Sequence, residues 1–108
     1  MSRLAQEPYI GATMFIILLK FSNNRAKASD LMAAHDAWIT RGLDEGAFLL
    51  VGSLQPRAGG VLLAHDTARS ELERRVREDP FVANDVVSFE LLEVSCSKAD
   101  PRLAFLLS

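Results

Sequence analysis

The chain has 108 residues and a formal net charge of −2 at pH 7, which indicates one small domain. Apolar residues make up 49% of it and charged residues 24%, which excludes a mainly disordered chain, and the absence of a basic excess argues against a nucleic-acid-binding protein. The only cysteine, Cys96, excludes an intrachain disulfide framework and a Cys-x-x-Cys metal motif, and the two histidines, His35 and His65, leave few ways to build a zinc site. We therefore predict no metal and no nucleic-acid partner.

The apolar segments are short. The longest uninterrupted run, Met14 to Leu19, has six residues, whereas a membrane-spanning helix needs about 20. The run is also too short for the apolar core of a secretory signal. A free thiol without an export signal is typical of a cytoplasmic protein, so we expect a cytoplasmic location and no membrane contact.

The ends of the chain differ in character from its middle. Residues 1–13 show no hydrophobic period and are interpreted as an N-terminal extension, although Met14 could equally be the initiator. Residues 14–94 form the predicted domain. Residues 95–108 form a C-terminal tail, whose apolar cluster, Leu103 to Leu107, we expect to dock onto the domain of its own or a partner subunit.

The elements of the domain alternate in a recognisable order. The hydrophobic patterns and turn residues predict a strand at 14–21, a helix from a cap at Ser29 or Asp30 to about Glu45, strands at 47–54 and 61–65, a helix at 68–78 that Asp79-Pro80 ends, and a strand at 86–94. This β-α-β-β-α-β order is the α+β ferredoxin-like pattern. It implies a four-stranded antiparallel sheet in the order 4-1-3-2, with both helices on one face.

The first two strands are apolar at nearly every position. An antiparallel sheet with one wet face should instead alternate apolar and polar residues. The helix-free face therefore needs a cover, and a second copy of the chain is the natural candidate. We predict a homodimer that forms through this face.

His35 lies in the middle of the apolar face of the first predicted helix. In this fold the two helices run antiparallel, so Asp79, at the end of the second, should lie beside the first part of the first. A carboxylate that accepts a hydrogen bond from one imidazole nitrogen fixes the tautomer and raises the basicity of the other, as in a general base. The alternatives are a core histidine bonded to a backbone carbonyl and an aspartate that merely forms an Asp-Pro turn.

Three further residues are candidates for the wall of a substrate site. Gly52 and Ser53 end the second strand at the same end of the sheet as His35. Ser53 lacks the Gly-x-Ser-x-Gly setting of a nucleophile, so we expect it to line the site or donate a hydrogen bond, or to be a plain strand-end residue. Trp38 shares the helix face of His35 and could contact substrate or pack in the core.

Four segments around these residues resemble a known family. They are DEGAFLLVGSL (44–54), GGVLLAHDTA (59–68), REDPFVANDVV (77–87) and SFELLEV (88–94). Together with the helix histidine they resemble the YCII-related (YciI-like) family of small bacterial proteins, over about residues 14–94. The sequence departs from the family in its N-terminal extension, its tail and a short turn between the second and third strands.

The resemblance implies a dimeric α/β barrel in which His35 and Asp79 form the active site. A relative in chlorinated-aromatic breakdown is a dehydrochlorinase, and similar barrels include muconolactone isomerases and small monooxygenases. The first hypothesis is therefore a cofactor-free enzyme in which His35 moves a proton on a small cyclic or aromatic substrate, in an isomerisation or an HX elimination. The second is a non-catalytic dimeric protein that binds a small ligand or assists another protein.

Overall fold

The structure is a computed structural model that describes residues 12–108. The predicted N-terminal extension therefore lies almost wholly outside the described residues. Four strands and three helices, with two 3₁₀ segments, follow one another in this order: β1 (Thr13–Phe21), a 3₁₀ turn (Arg25–Lys27), α1 (Ala28–Asp44), β2 (Phe48–Leu54), β3 (Gly59–His65), α2 (Arg69–Arg77), α3 (Pro80–Ala83), β4 (Val87–Ser95) and a 3₁₀ helix (Pro101–Leu107).

The strands form one antiparallel sheet in the order β2-β3-β1-β4, which confirms the predicted ferredoxin-like arrangement. β1 is central: Ile17 pairs with Leu62 of β3 on one side and with Leu91 of β4 on the other. All three side chains are buried in the core between the sheet and the helices. The fold is thus α+β, with the helices on one face of the sheet.

The continuous apolar run of β1 serves both faces of this sheet. Phe15, Ile17 and Leu19 are almost fully buried beneath the helices, whereas Ile16 and Leu18 between them are half-buried on the opposite face. Successive strand residues point to opposite faces, so an apolar residue at every position gives the sheet two apolar faces. The second apolar face, which the sequence predicts to need a cover, is therefore present in the structure.

α1 begins earlier than the sequence predicts. The 3₁₀ turn runs directly into the helix at Ala28, and Lys27 occupies the cap position without a side-chain hydrogen bond. Ser29 and Asp30 lie inside the first helical turn, so the prediction that one of them caps the helix is wrong. At the other end Gly42 packs against β2, where a β-carbon would lie 2.2 Å from the Phe48 ring.

The C-terminal tail covers one end of the helix-free face. Its 3₁₀ helix buries Leu106, and the Phe105 ring lies 5.3 Å from the ring of His65 on β3. Met14 and Leu63 line the space between the tail and the sheet. The tail therefore docks on its own sheet, so at that end the chain itself supplies part of the cover that the sequence leads us to expect from a second copy.

A substantial apolar surface stays open around the docked tail. Its most exposed large side chains are Leu50, Leu92, Leu103, Phe105 and Leu107, each between 38% and 50% exposed. No helix within residues 12–108 is long and apolar enough to cross a membrane.

Candidate active site

The imidazole of His35 is held against the core by its position on α1. The residue is 9% exposed and lies between Leu31 and Ile39, which both pack against the core. Its Nδ1 lies 2.7 Å from Oδ1 of Asp79, 44 residues further along the chain. In the tautomer in which Nδ1 donates to this carboxylate, Nε2 is the ring nitrogen left for a ligand.

Asp79 is fully buried and has two partners on one oxygen. Its Oδ1 also accepts from the backbone N–H of Phe81 at 3.0 Å, which makes Asp79 the N-cap of α3 with Pro80 in the first helical turn. The other oxygen, Oδ2, is buried without a hydrogen-bond partner among the described residues. Burying a carboxylate in this way costs free energy, so the rest of the fold must stabilise the arrangement.

α3 itself was not predicted. The sequence predicts that Asp79-Pro80 ends the second helix, and α2 does end at Arg77. The chain then starts a new helical turn, because the Asp79 cap and the fixed backbone of Pro80 favour one. This turn places Phe81 directly against the histidine.

Phe81 forms a parallel stack with His35. The two ring centroids are 3.9 Å apart and the ring planes differ by 4°. Stacked pairs of this kind contribute about 0.5–1.5 kcal/mol beyond the area they bury. The hydrogen bond to Asp79 therefore limits rotation of the imidazole within its own plane, and the Phe81 ring limits its movement out of that plane.

A cavity of about 390 Å³ opens beside this imidazole. The polar side chains in its wall, among the described residues, are His35, Asp36 and Ser53. Most of the wall is apolar, with contributions from Leu19, Phe21, Met32, Ile39, Val51 and Val87. A mainly apolar pocket with a few polar groups is typical of a small-molecule site.

The structure brings together most of the residues predicted for the site. His35, Gly52 and Ser53 line the cavity, and Asp79 lies behind the imidazole. Trp38 is not among the lining residues. It is 1% exposed, its Nε1 donates to the carbonyl of Arg75 at 3.0 Å, and its ring meets Phe48 edge-on, so it supports α1 from the core.

Most of the wall consists of residues that the sequence does not predict as site candidates, on α1, α3 and all four strands. Met32, Asp36 and Ile39 occupy positions −3, +1 and +4 relative to His35, the spacing of one helix face, and this spacing could have identified them. Phe81 lay within the Asp-Pro-Phe stretch that carries the family resemblance. Nothing local in the sequence showed that its ring would stack on a histidine 46 residues earlier.

Solved structures with a similar fold include an enzyme. 5-Chloro-2-hydroxyhydroquinone dehydrochlorinase from Burkholderia phenoliruptrix AC1100, in complex with 2,5-dihydroxybenzoquinone, matches with a TM-score of 0.60 and 15% identity, over 80% of this chain and 95% of the enzyme. A conserved protein from Methanosarcina mazei Go1 matches with a TM-score of 0.51 and 13% identity, over 79% and 93% of the two chains. SnoaB, a cofactor-independent oxygenase from Streptomyces nogalater, gives a TM-score of 0.44 at 15% identity, over 82% and 96%.

These likenesses concern the fold. The chain shares a ferredoxin-like α+β fold with the first two of these structures, at low sequence identity. Neither a comparison with protein-family models nor one with curated proteins gives a match.

Proposed function

We propose that the protein is a cofactor-free enzyme that acts on a small cyclic or aromatic substrate, with His35 as the general base. The observation that carries this proposal is the 2.7 Å hydrogen bond from His35 to the buried Asp79 at the wall of an open cavity. The bond directs one ring nitrogen to the carboxylate and leaves the other for a substrate. We further propose that the chain is related to the YCII-like proteins, as its Asp-Pro-Phe stretch and helix histidine suggest.

The cavity supports a compact substrate. A cavity of about 150 Å³ accommodates benzene, so about 390 Å³ leaves room for one substituted ring and the groups that react. The apolar wall would contact the faces of such a ring. Asp36 and Ser53 offer hydrogen-bonding groups for hydroxyl or carbonyl substituents.

In an HX elimination Nε2 of His35 would take a proton from the substrate. The electron pair of the broken bond to hydrogen becomes a new π bond, and the leaving group departs with the electrons of its own bond. In an isomerisation the same nitrogen would return the proton to another atom of the substrate. Neither reaction needs an oxidant or a reductant, and general-base catalysis contributes about 10²–10⁴ in rate.

The similar fold of the dehydrochlorinase directs the first experiment. Chlorinated hydroquinones and small unsaturated lactones are incubated with the wild-type protein, and halide release and product absorbance are followed. We expect turnover by the wild type, loss of turnover in His35→Gln, and no change in His65→Gln, which alters the histidine on β3 beside the tail. Turnover that survives in His35→Gln would show that another group is the base.

A ligand-binding protein without catalysis is the second candidate. The observation that favours it is the cap that Asp79 provides for α3, since this structural contact accounts for a buried aspartate without any chemistry. Under this alternative a ligand raises the melting temperature and is recovered unchanged. The same compounds and the same two variants therefore separate the two candidates.

We also propose that a second copy of the chain covers the apolar surface around the docked tail. Large apolar side chains on β2, β4 and the tail are between 38% and 50% exposed, and an exposed apolar patch is typical of a protein–protein interface. Light scattering at micromolar concentration should give twice the mass of the chain. A monodisperse monomer would contradict the homodimer.

A further inference from the structure

The stretch Asp79-Pro80-Phe81 contacts the His35 ring from two perpendicular directions. Asp79 meets Nδ1 in the ring plane at 2.7 Å, and Phe81 covers one face of the ring at a centroid distance of 3.9 Å. A hydrogen bond weakens steeply as its angle falls. A ring that tilted out of its present plane would therefore lose the bond to Asp79.

The two contacts are linked through the backbone. The N–H of Phe81 donates to the same Oδ1 that holds His35, and the carbonyl of Phe81 accepts from the N–H of Val86 at 2.9 Å. Pro80 fixes the backbone dihedral angle between the two side chains. The position of the Phe81 ring is thus defined by bonds on both sides of its own residue.

We propose that Phe81 is a positioning residue for His35: its ring holds the imidazole in the plane in which Nδ1 donates to Asp79 and Nε2 is available in the cavity. This inference rests on the proposed function and names the device that prepares its base. Phe81 makes no proton transfer of its own. Its contribution is to keep one neutral tautomer of His35 dominant.

A purely structural role for Phe81 would also explain its burial, since it is 5% exposed and belongs to the core. Loss of stability on truncation therefore does not test the proposal. The tautomer of His35 does test it, because a residue that only fills space leaves the ratio of the two tautomers unchanged.

The test is ¹⁵N NMR of the histidine rings in the full chain, at a pH where His35 is neutral. The nitrogen shifts of His35 report the ratio of the minor Nε2–H tautomer to the major Nδ1–H tautomer. In Phe81→Leu we expect this ratio to rise about two- to tenfold, the factor expected when an aromatic stack is lost. In Phe81→Tyr, which keeps the ring, we expect it to stay near the wild-type value.

Two controls accompany these variants. Phe15→Leu makes the same truncation in the core on β1, away from the cavity wall, and should lower stability without changing the His35 ratio. The ring of His65 is an internal reference that should stay constant throughout. If Phe81→Leu does not fold, Phe81→Met, which also lacks a ring but has an unbranched, flexible side chain that adapts to the space left by the ring, replaces it in the comparison.

The results separate this inference from the proposed function. An unchanged His35 tautomer ratio in Phe81→Leu, or an equal change in Phe15→Leu, overturns the positioning role even if His35→Gln abolishes turnover. A raised ratio in Phe81→Leu, together with a ratio near the wild-type value in Phe81→Tyr, supports the positioning role. Turnover that survives in His35→Gln overturns the proposed function, and with it the catalytic purpose of the positioning, whatever the tautomer ratio.

Discussion

Asp79 and Asp100 make the same local contact in two different environments. Each precedes a proline, each begins a short helical segment, and each accepts a hydrogen bond from the backbone N–H two residues later, at 3.0 Å and 2.9 Å. The sequence motif Asp-Pro thus forms the same cap twice. The two carboxylates differ in everything beyond this cap.

The two carboxylates differ in their burial and in the hydrogen bonds that they accept besides the cap. Asp100 is exposed, and the Arg102 side chain donates to both of its oxygens, at 3.0 Å and 3.3 Å. Asp79 is fully buried, holds His35 with the oxygen that already caps α3, and leaves Oδ2 without a partner among the described residues. The exposed cap is completely satisfied, whereas the buried cap is poorly satisfied and lies behind a cavity.

A local motif therefore predicts a local contact, and the tertiary fold decides whether the contact becomes part of a site. A buried, incompletely paired carboxylate is costly and is more often found where function requires it. We therefore make four predictions about variants of Asp79, of Asp100 and of the tail that Asp100 begins. They are ordered from the largest expected effect on turnover or stability to the smallest.

The largest difference is expected in catalysis. Asp79→Asn keeps an oxygen for the cap but removes the charge that fixes the His35 tautomer. Once a substrate has been found by the screen above, we expect its turnover to fall about 10²–10⁴-fold, the usual contribution of a general base. Initial rates under saturating substrate provide the measurement.

Asp100→Asn is the matched control for this variant, because it makes the same chemical change in the same motif. It should leave turnover unchanged. Equal losses in the two variants would show that the aspartates act only as caps.

The next difference is in stability. Asp79→Ala removes a cap, which typically contributes about 0.5–2 kcal/mol, and a hydrogen bond to a charged group, which contributes about 1.5–3 kcal/mol. Removal of the unpartnered Oδ2 offsets part of this loss, so we expect the free energy of unfolding to fall by about 2–4 kcal/mol. Urea unfolding followed by circular dichroism measures it.

The corresponding change in the exposed cap is Asp100→Ala. We expect it to leave the urea midpoint almost unchanged, since water replaces its hydrogen bonds. A midpoint shift as large as that of Asp79→Ala would contradict the distinction between a buried and an exposed cap.

These caps also show how far the sequence could predict the structure. The order of the main strands and helices followed from hydrophobic periodicity and turn residues, which are local signals, and the strand order followed from the fold that this order of elements indicates. The contact between His35 and Asp79 followed from the topology, because that fold brings the end of the second helix beside the start of the first. Which side chains line the cavity, and where the tail docks, depends on tertiary packing, which no local sequence pattern indicates.

The least predictable features were those that depend on a single packing choice. α3 was missed because Asp79-Pro80 is as good a helix start as it is a helix stop. The docked tail was foreseen from its apolar residues, but its place on the sheet was not, since any exposed apolar strip could have received it. Trp38 shared a helix face with His35, yet its bond to Arg75 holds it in the core and away from the cavity.

A smaller effect is expected where the exposed cap leads into the docked tail. Leu106 is 8% exposed and anchors the 3₁₀ helix to the sheet, whereas Leu103 is 47% exposed. We expect Leu106→Ala to lower the free energy of unfolding by about 1–2 kcal/mol, less than the 2–5 kcal/mol typical of a core leucine. Leu103→Ala is the control and should have little effect on a monomer.

Light scattering on both leucine variants adds information about the surface around the tail. A weaker dimer in Leu103→Ala, with an unchanged monomer stability, would place that side chain in contact with a second copy. Equal destabilisation by the two variants would contradict the docking of the tail through Leu106.

The smallest effect is the response of the exposed cap to acid. The hydrogen bond from the Arg102 side chain, aided by that from the Arg102 backbone N–H, lowers the pKa of Asp100 below its ordinary value of 3.8. A carboxyl whose pKa is lower in the folded state than in the unfolded state stabilises the fold at pH values above its unfolded-state pKa. This contribution is lost as the pH falls through its folded-state pKa.

We therefore expect the Asp100 cap to stay intact as the pH falls to 3.8 and to open only below that pH. The amide shift of Arg102, followed by NMR as the pH is lowered, should titrate with a midpoint below 3.8, and Asp100→Asn should abolish that titration. A midpoint at or above 3.8 would mean that Arg102 does not hold the carboxylate in solution, and the exposed cap would then differ from the buried one even in its local contact.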